Sequence, residues 1–252
     1  MVDLVDRRIL GAVRAVDGVS GVPIRHALRL EGTGIGFQRT RSGDYAIVRA
    51  EGLGHHVTQF QAPPAAPAPE TLPFAVTVHD PGGAYMPRIT TIRLPRRFDP
   101  GNDIRELMEP ILLPMTPAAA LAAALSWAVV DALVVDQDGG PIRGALVEVR
   151  PQGGGERLGW GLTHGRGEAR VPVTGLATFR EVENDPNDDS DNEIVTDETT
   201  VTVRATADPE RPWPVDPDAL AAGGGDLRTA TVAALALAPG RTDRVALTLD
   251  MS

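Results

Sequence analysis

The side chains with the greatest capacity for chemistry stand in one run. Between Glu181 and Thr200 the chain carries nine acids and no base: Glu181, Glu183, Asp185, Asp188, Asp189, Asp191, Glu193, Asp197 and Glu198. Calcium is a hard cation that takes several oxygen ligands, and acids at alternate positions of a tight turn supply them. Asn187 to Glu198 sets Asp189, Asp191, Ile194 and Glu198 at positions three, five, eight and twelve of a calcium-loop pattern. Asn187 replaces the usual first Asp and Asn192 replaces the usual central Gly, and Asn enters the left-handed turn less readily than Gly. Two readings stand side by side: a calcium loop using Asp189, Asp191 and Glu198, or a solvated acidic loop. The spacing assigns no residue as a metal ligand, so the expectation is no metal site and no cofactor.

Other reactive types lack the spacing that chemistry needs. His26, His55, His56, His79 and His164 never fall in a His-Glu-x-x-His pattern. His55 and His56 are neighbours, and neighbours in an extended chain point to opposite faces. His79 falls on the outward face of its expected strand. None of the five serines lies in Gly-x-Ser-x-Gly. Gly32, Gly34 and Gly36 miss the dinucleotide-binding spacing and read as a loop. Carboxylates pair up only in the acidic run, with no aromatic platform beside them, which argues against a glycosidase. The chain has no Cys, and all 24 basic residues are Arg. Thiolate chemistry, disulfides and Schiff-base lysines are therefore excluded. We expect no catalytic residue and no enzyme. Trp213, between Pro212 and Pro214, has two open readings: exposed to a partner, or packed down to pin its loop. Trp160 is its companion in the second half.

The elements around these residues read as short strands. Gly and Pro make up 27 and 22 of 252 residues, aromatics only 4%. That is the signature of many turns and a core of Val, Leu, Ile and Ala. Ile9–Val16 reads as a first strand. Ile24–Glu31 reads as a second, with His26, Leu28 and Leu30 inward. Phe37–Arg39 and Asp44–Arg49 follow, with Tyr45 and Ile47 inward. After a Pro-rich stretch, Phe74, Val76 and Val78 alternate with Ala75, Thr77 and His79, and Ile89–Leu94 closes the first half. Residues 102–127 read as a linker with short helical turns, at Ile104–Met108 and after Thr116-Pro117. In the second half we expect strands at Trp127–Asp136, through Ala145, Val147 and Val149, and at Leu158–Thr163. Glu168–Val173 and Thr200–Ala205 follow. Asp208–Asp226 is an insertion, and a hairpin of Leu227–Leu237 with Arg244–Leu249 ends the chain.

One motif is written twice. Asp17-Gly-Val-Ser-Gly-Val-Pro-Ile-Arg-His-Ala-Leu28 and Asp136-Gln-Asp-Gly-Gly-Pro-Ile-Arg-Gly-Ala-Leu146 share Pro-Ile-Arg-x-Ala-Leu after a Val-rich segment. The order of strands and turns around the motif repeats as well. Aligned on Pro-Ile-Arg, the inward positions of the two copies are offset by one residue, which demands a bulge or shift in one of them. The reading is two tandem Greek-key β-sandwich domains, at 1–101 and 128–252.

The second copy resembles the carboxypeptidase regulatory-like domain, a transthyretin-like β-sandwich. The matching residues are Val134, Val135, Asp136, Asp138, Gly139, Pro141, Ile142, Gly144, Ala145, Val147, Val149 and Gly167, within Val129–Leu176. The first copy departs from the pattern, with His26 in place of the Gly. The resemblance implies a transthyretin/immunoglobulin-like fold and a non-catalytic spacer or assembly module. Tandem pairs without a leader are similar to accessory proteins of phage-tail-like contractile particles.

Charge points the same way. The net charge of −10 is almost wholly the acidic run, so the rest is near neutral and offers no footprint for nucleic acid. Met1-Val-Asp-Leu-Val-Asp-Arg-Arg is not a secretory signal, and Asp131 argues against a membrane span through Ala118–Val135. The expectation is a structural or adaptor protein made in the cytoplasm. Its partners would be other protein subunits, including copies of itself. The alternative is a carbohydrate- or cell-surface-binding module, with calcium at the acidic loop.

Overall fold

A computed structural model describes residues 9–54, 71–96, 109–119, 126–176, 180–182, 193–195, 198–223 and 226–252, with only the backbone of 180–182 and 193–195. The expected helix at Ile104–Met108 and nearly all of the one after Pro117 lie outside these residues. The described chain is strand and turn, with one short helix. It divides into two compact units at Met115/Thr116.

The first unit has seven strands: β1 (Gly11–Asp17), β2 (Arg29–Gly32), β3 (Ile35–Arg39), β4 (Tyr45–Ala50), β5 (Leu72–His79), β6 (Arg88–Leu94) and β7 (Ile111–Met115). One sheet runs β3-β4-β1-β7 and the other β2-β5-β6. The expected alternation is present: Phe74, Val76 and Val78 of β5 are buried while Ala75 and His79 face water. They meet Val13, Tyr45, Ile47, Ile92, Leu113 and Met115 in a core fed by both sheets.

Two expectations fail in this unit. Residues 111–115, assigned to a linker, form β7, which lies parallel to β1 with Val13 opposite Ile111 and Asp17 opposite Met115. Pro110 and Pro114 disguise it, but β7 is an edge strand, where a missing N–H needs no partner. Ile89–Leu94 is therefore not the last strand. Within 24–31, Ile24 and Leu28 are buried, His26 is exposed, and pairing begins only at Arg29.

The second unit repeats the plan with β8 (Ala128–Asp136), β9 (Leu146–Pro151), β10 (Gly159–Leu162), β11 (Glu168–Val173), β12 (Arg180–Val182), β13 (Glu193–Val195), β14 (Thr199–Ala207), β15 (Arg228–Leu237) and β16 (Thr242–Leu249). Its sheets are β11-β8-β16 and β10-β9-β14-β15, and β12 and β13 pair with each other. The core between the sheets holds Val130, Val134, Val147, Val149, Val171, Val203, Leu237, Leu247 and Leu249. Among the described residues no aromatic side chain enters it, as the composition implied. The last strand, β16, lies parallel to β8 just as β7 lies parallel to β1. The expected terminal hairpin is therefore wrong. β15 and β16 join opposite sheets, and the Pro239-Gly240 segment crosses between them.

The third strand of each unit takes a different sheet. β3 pairs with β4, whereas β10 pairs with β9. Side chains explain the second choice. In Gly159-Trp-Gly-Leu162 the two glycines face β11 so closely that a Cβ on Gly159 would sit 2.4 Å from the Pro172 carbonyl oxygen. Trp160 and Leu162 instead point away from the main core, onto Leu146. The insertion covers them. Helix α1 (Pro217–Ala222) starts at Asp216, whose Oδ1 accepts the N–H of Asp218 and Ala219, with Pro217 in its first turn. It brings Val215 and Leu220 down onto Leu146, Trp160 and Leu162. β9 is thus buried on both faces, Val147 and Val149 inside and Leu146 and Glu148 outside.

Candidate functional site

The repeated motif builds one end of each unit. A bridge joins Val16 to Pro23 and Val135 to Pro141 at corresponding positions. Asp17 Oδ1 accepts N–H from Val19 and Ser20 and the Ser20 hydroxyl, and Asp136 Oδ1 accepts N–H from Asp138 and Gly140. Each Asp holds its own turn, an Asx arrangement.

The two copies diverge just after Pro-Ile-Arg. His26 stands where the second copy has Gly144, and Gly144 takes φ +83°, a left-handed conformation that His26 does not share. In the first copy Leu28 is the next buried residue after Ile24. In the second, Ala145 and Val147 follow Ile142. This is the physical origin of the one-residue offset in the alternation.

In the first unit His26 joins a polar network. Its Nε2 lies 3.2 Å from Asp80 Oδ1. Asp80 is buried at the start of the β5–β6 turn, and its two oxygens accept N–H from Gly82, Ala84 and Tyr85 at 2.9–3.1 Å. Burial pushes the Asp80 carboxyl up, but the amides of Gly82, Tyr85 and Ala84 and the His26 imidazole outweigh it, so it sits below the ordinary carboxylate range. The Tyr85 ring stacks on His26 at 5.9 Å, and its hydroxyl donates to Asp17 Oδ2 at 3.1 Å. Burial first, then the Asp17 charge, push the Tyr85 phenol up to about 12. A His–carboxylate pair beside a phenol is general-base equipment. Among the described residues, however, no hydroxyl bonds His26, and the only serine near the turn, Ser20, donates to Asp17. The geometry ties two turns together.

Arg88 was not legible as special in the sequence. It is fully buried, and its Nη1 donates to the Pro114 carbonyl at 2.7 Å, tying β6 to β7 across the two sheets.

The second unit carries one polar cluster on the outer face of β9 and β14. Glu148 is 4% exposed, and its Oε1 takes Arg150 Nη2 at 3.1 Å and Arg157 Nη1 at 3.3 Å. The Arg157 guanidinium lies 4.9 Å from the centre of the Trp160 ring, and that of Arg143 lies 4.3 Å from the Trp213 ring. Trp213 therefore follows the second of its two readings: it packs with Leu146, Trp160 and Leu220 and pins the insertion.

The outer face of the other sheet holds a shallow groove of about 670 Å³, with Arg170, Asp131 and Arg244 opposite one another on three strands and half-exposed Leu133 alongside. Arg170 Nε reaches Asp131 at 3.6 Å only, too far for a hydrogen bond.

Asp189 and Asp191 lie outside the described residues, as do His55 and His56. Glu198 is described, and its Oε1 takes Arg241 Nη1 at 2.9 Å. Backbone at Glu193–Val195, within the stretch that the calcium-loop pattern covers, is paired as β13 with β12. Among the described residues no group of three acids or histidines is placed to hold a metal, and no helix is long and apolar enough to cross a membrane. His79 is exposed as expected, and His164 pairs with Glu168 at 3.1 Å.

Comparison of the sequence with protein-family models and with curated proteins found no match.

Proposed function

We propose that this protein is a non-enzymatic structural or adaptor component of a multi-subunit assembly, of the kind found in phage-tail-like contractile injection particles. Each unit is read as a Greek-key β-sandwich of the transthyretin/immunoglobulin-like type, the second as a carboxypeptidase regulatory-like domain. One observation carries the proposal. Among the described residues, the His–carboxylate–phenol group of Asp17, His26, Asp80 and Tyr85 is bound to turn amides and to itself. Such a network fixes the shape of loops between sheets, and fixed loops and sheet faces are what an assembly module offers.

The partners are other protein subunits. The test is capture of a tagged chain from native lysate of its source cells under gentle salt. Co-purification of a fixed set of particle proteins in constant ratio is the expected result. Recovery as a free monomer at every salt tested overturns the proposal.

A further inference from the structure

One sheet face of the second unit gathers three arginines around a single acid. β14 places Arg204 directly opposite Glu148 of β9, and Thr202 opposite Arg150. Alternate residues share a face, so Arg204 and Arg150 stand diagonally on the outer side, with Arg157 reaching in from the β9–β10 loop. Three guanidiniums thus surround one carboxylate. Glu148 engages two of them through a single oxygen. Arg204 is exposed and has no hydrogen-bond or ion-pair partner among the described residues. Glu156, in the same loop as Arg157, is exposed and outside these contacts. On a chain of net charge −10 this is a local reversal of sign.

The site is also held in shape. The Arg157 guanidinium lies over the buried Trp160, and Glu148 fixes Arg150 and Arg157 from below. A guanidinium fixed in this way keeps free N–H groups and loses little side-chain freedom on binding.

We infer that Arg150, Arg157 and Arg204 form a docking face for a carboxylate-rich polypeptide segment of a partner subunit. This rests on the assembly reading above. Charge complementarity names the chemistry, because the planar forks of Arg match carboxylates in pairs. An acidic polysaccharide is the competing occupant. Its anionic groups are spread along a stiff chain, whereas a flexible peptide can set a carboxylate against each fork, and the heparin arm of the test separates the two.

The test uses the full chain and, as probe, a fluorescent synthetic peptide with the sequence of residues 181–200, read by anisotropy. Heparin and inorganic phosphate serve as competitors. Binding that weakens steeply with salt is expected. Arg204→Glu should weaken it about fivefold or more, the size of one exposed charge contact. Arg204→Glu also sets a second acid directly opposite Glu148, so Arg204→Gln, which lacks that repulsion, is the stability-matched variant: it should melt like the parent and bind more weakly, and Arg204→Lys should retain most binding. No binding at low salt, or equal binding by Arg204→Glu and the parent, overturns the inference. Heparin binding with no peptide binding transfers the face to polysaccharide and also overturns it. If particle proteins co-purify with the chain but the peptide does not bind, the docking face falls and the assembly reading stands. If the peptide binds but nothing co-purifies, the assembly reading falls.

Discussion

His26 and Asp80 meet at 3.2 Å because residue 26 is not glycine. At the corresponding place in the second unit Gly144 turns left-handed, and a Cβ there would lie 2.9 Å from Val215 and 3.2 Å from Trp213. The same motif therefore supports a polar latch in one unit and the seat of an insertion in the other. Neither arrangement fits the other copy's residue.

Asp80 gives the acid limb of the first unit's stability. Its folded pKa lies below its unfolded value of about 3.9. The stability it contributes is present above that unfolded value and is lost as pH falls through the folded one. Asp80→Asn should cost about 1.5–3 kcal/mol at neutral pH, the range for hydrogen bonds to a charged group. It should also flatten the fall in stability at acid pH. Urea unfolding across the acid range measures both, and an unchanged acid limb would contradict the assignment.

Tyr85 acts at the opposite end of the scale. Its phenol is pushed up to about 12 in the folded chain, against about 10 unfolded. The stability linked to it is complete below pH of about 10 and is lost as pH rises through about 12. Tyr85→Phe should remove the late-titrating phenol from an ultraviolet absorbance titration. It should cost about 0.5–1.5 kcal/mol through the lost bond to Asp17. Persistence of the late phenol in the variant would contradict the assignment to Tyr85.

Gly159 is a packing position. With the Pro172 carbonyl 2.4 Å from any Cβ, Gly159→Ala must push β10 off β11. The expected cost is about 1–3 kcal/mol, the range for overpacking. Gly165 has nothing within 4 Å of its Cβ position and serves as the control. Gly165→Ala should change stability by less than about 0.5 kcal/mol. Equal denaturation midpoints for the two variants would refute the close approach.

Leu220 fastens the insertion. It is 2% exposed against Leu146, Trp160 and Leu162. Leu220→Ala should cost about 2–5 kcal/mol. Because the main core lies on the other face of β9, the insertion should open before the unit melts. Tryptophan emission would then shift to the red ahead of the loss of β-sheet circular dichroism. Coincident transitions would show one cooperative unit.

Calcium should not change the melting temperature. Glu198, the last position of the loop pattern, is neutralised by Arg241, which also donates to Asp243 and to the Ala236 carbonyl. Differential scanning fluorimetry with calcium and with chelator checks this. A clear rise with calcium would favour the binding-module alternative, since a ligand seen only by the folded state stabilises it.

The sequence by itself determined whatever depends on local periodicity and turn chemistry. β5 was legible because Phe74, Val76 and Val78 alternate with exposed residues on a half-wet sheet. The duplicated Asp-turn-Pro-Ile-Arg segment was legible because Pro-Ile-Arg-x-Ala-Leu recurs and an Asp holds each turn through nearby backbone N–H groups, although the first turn is one residue longer. The tertiary structure decided what depends on partners far along the chain. Pairing with β1 makes Ile111–Met115 a strand in spite of Pro114. The insertion gives β10 cover for Trp160 and Leu162, and β10 joins β9, not β11. Arg204 gains its meaning only from Glu148, Arg150 and Arg157 on neighbouring elements, because hydrogen-bond register sets side chains far apart in sequence next to one another on a sheet face.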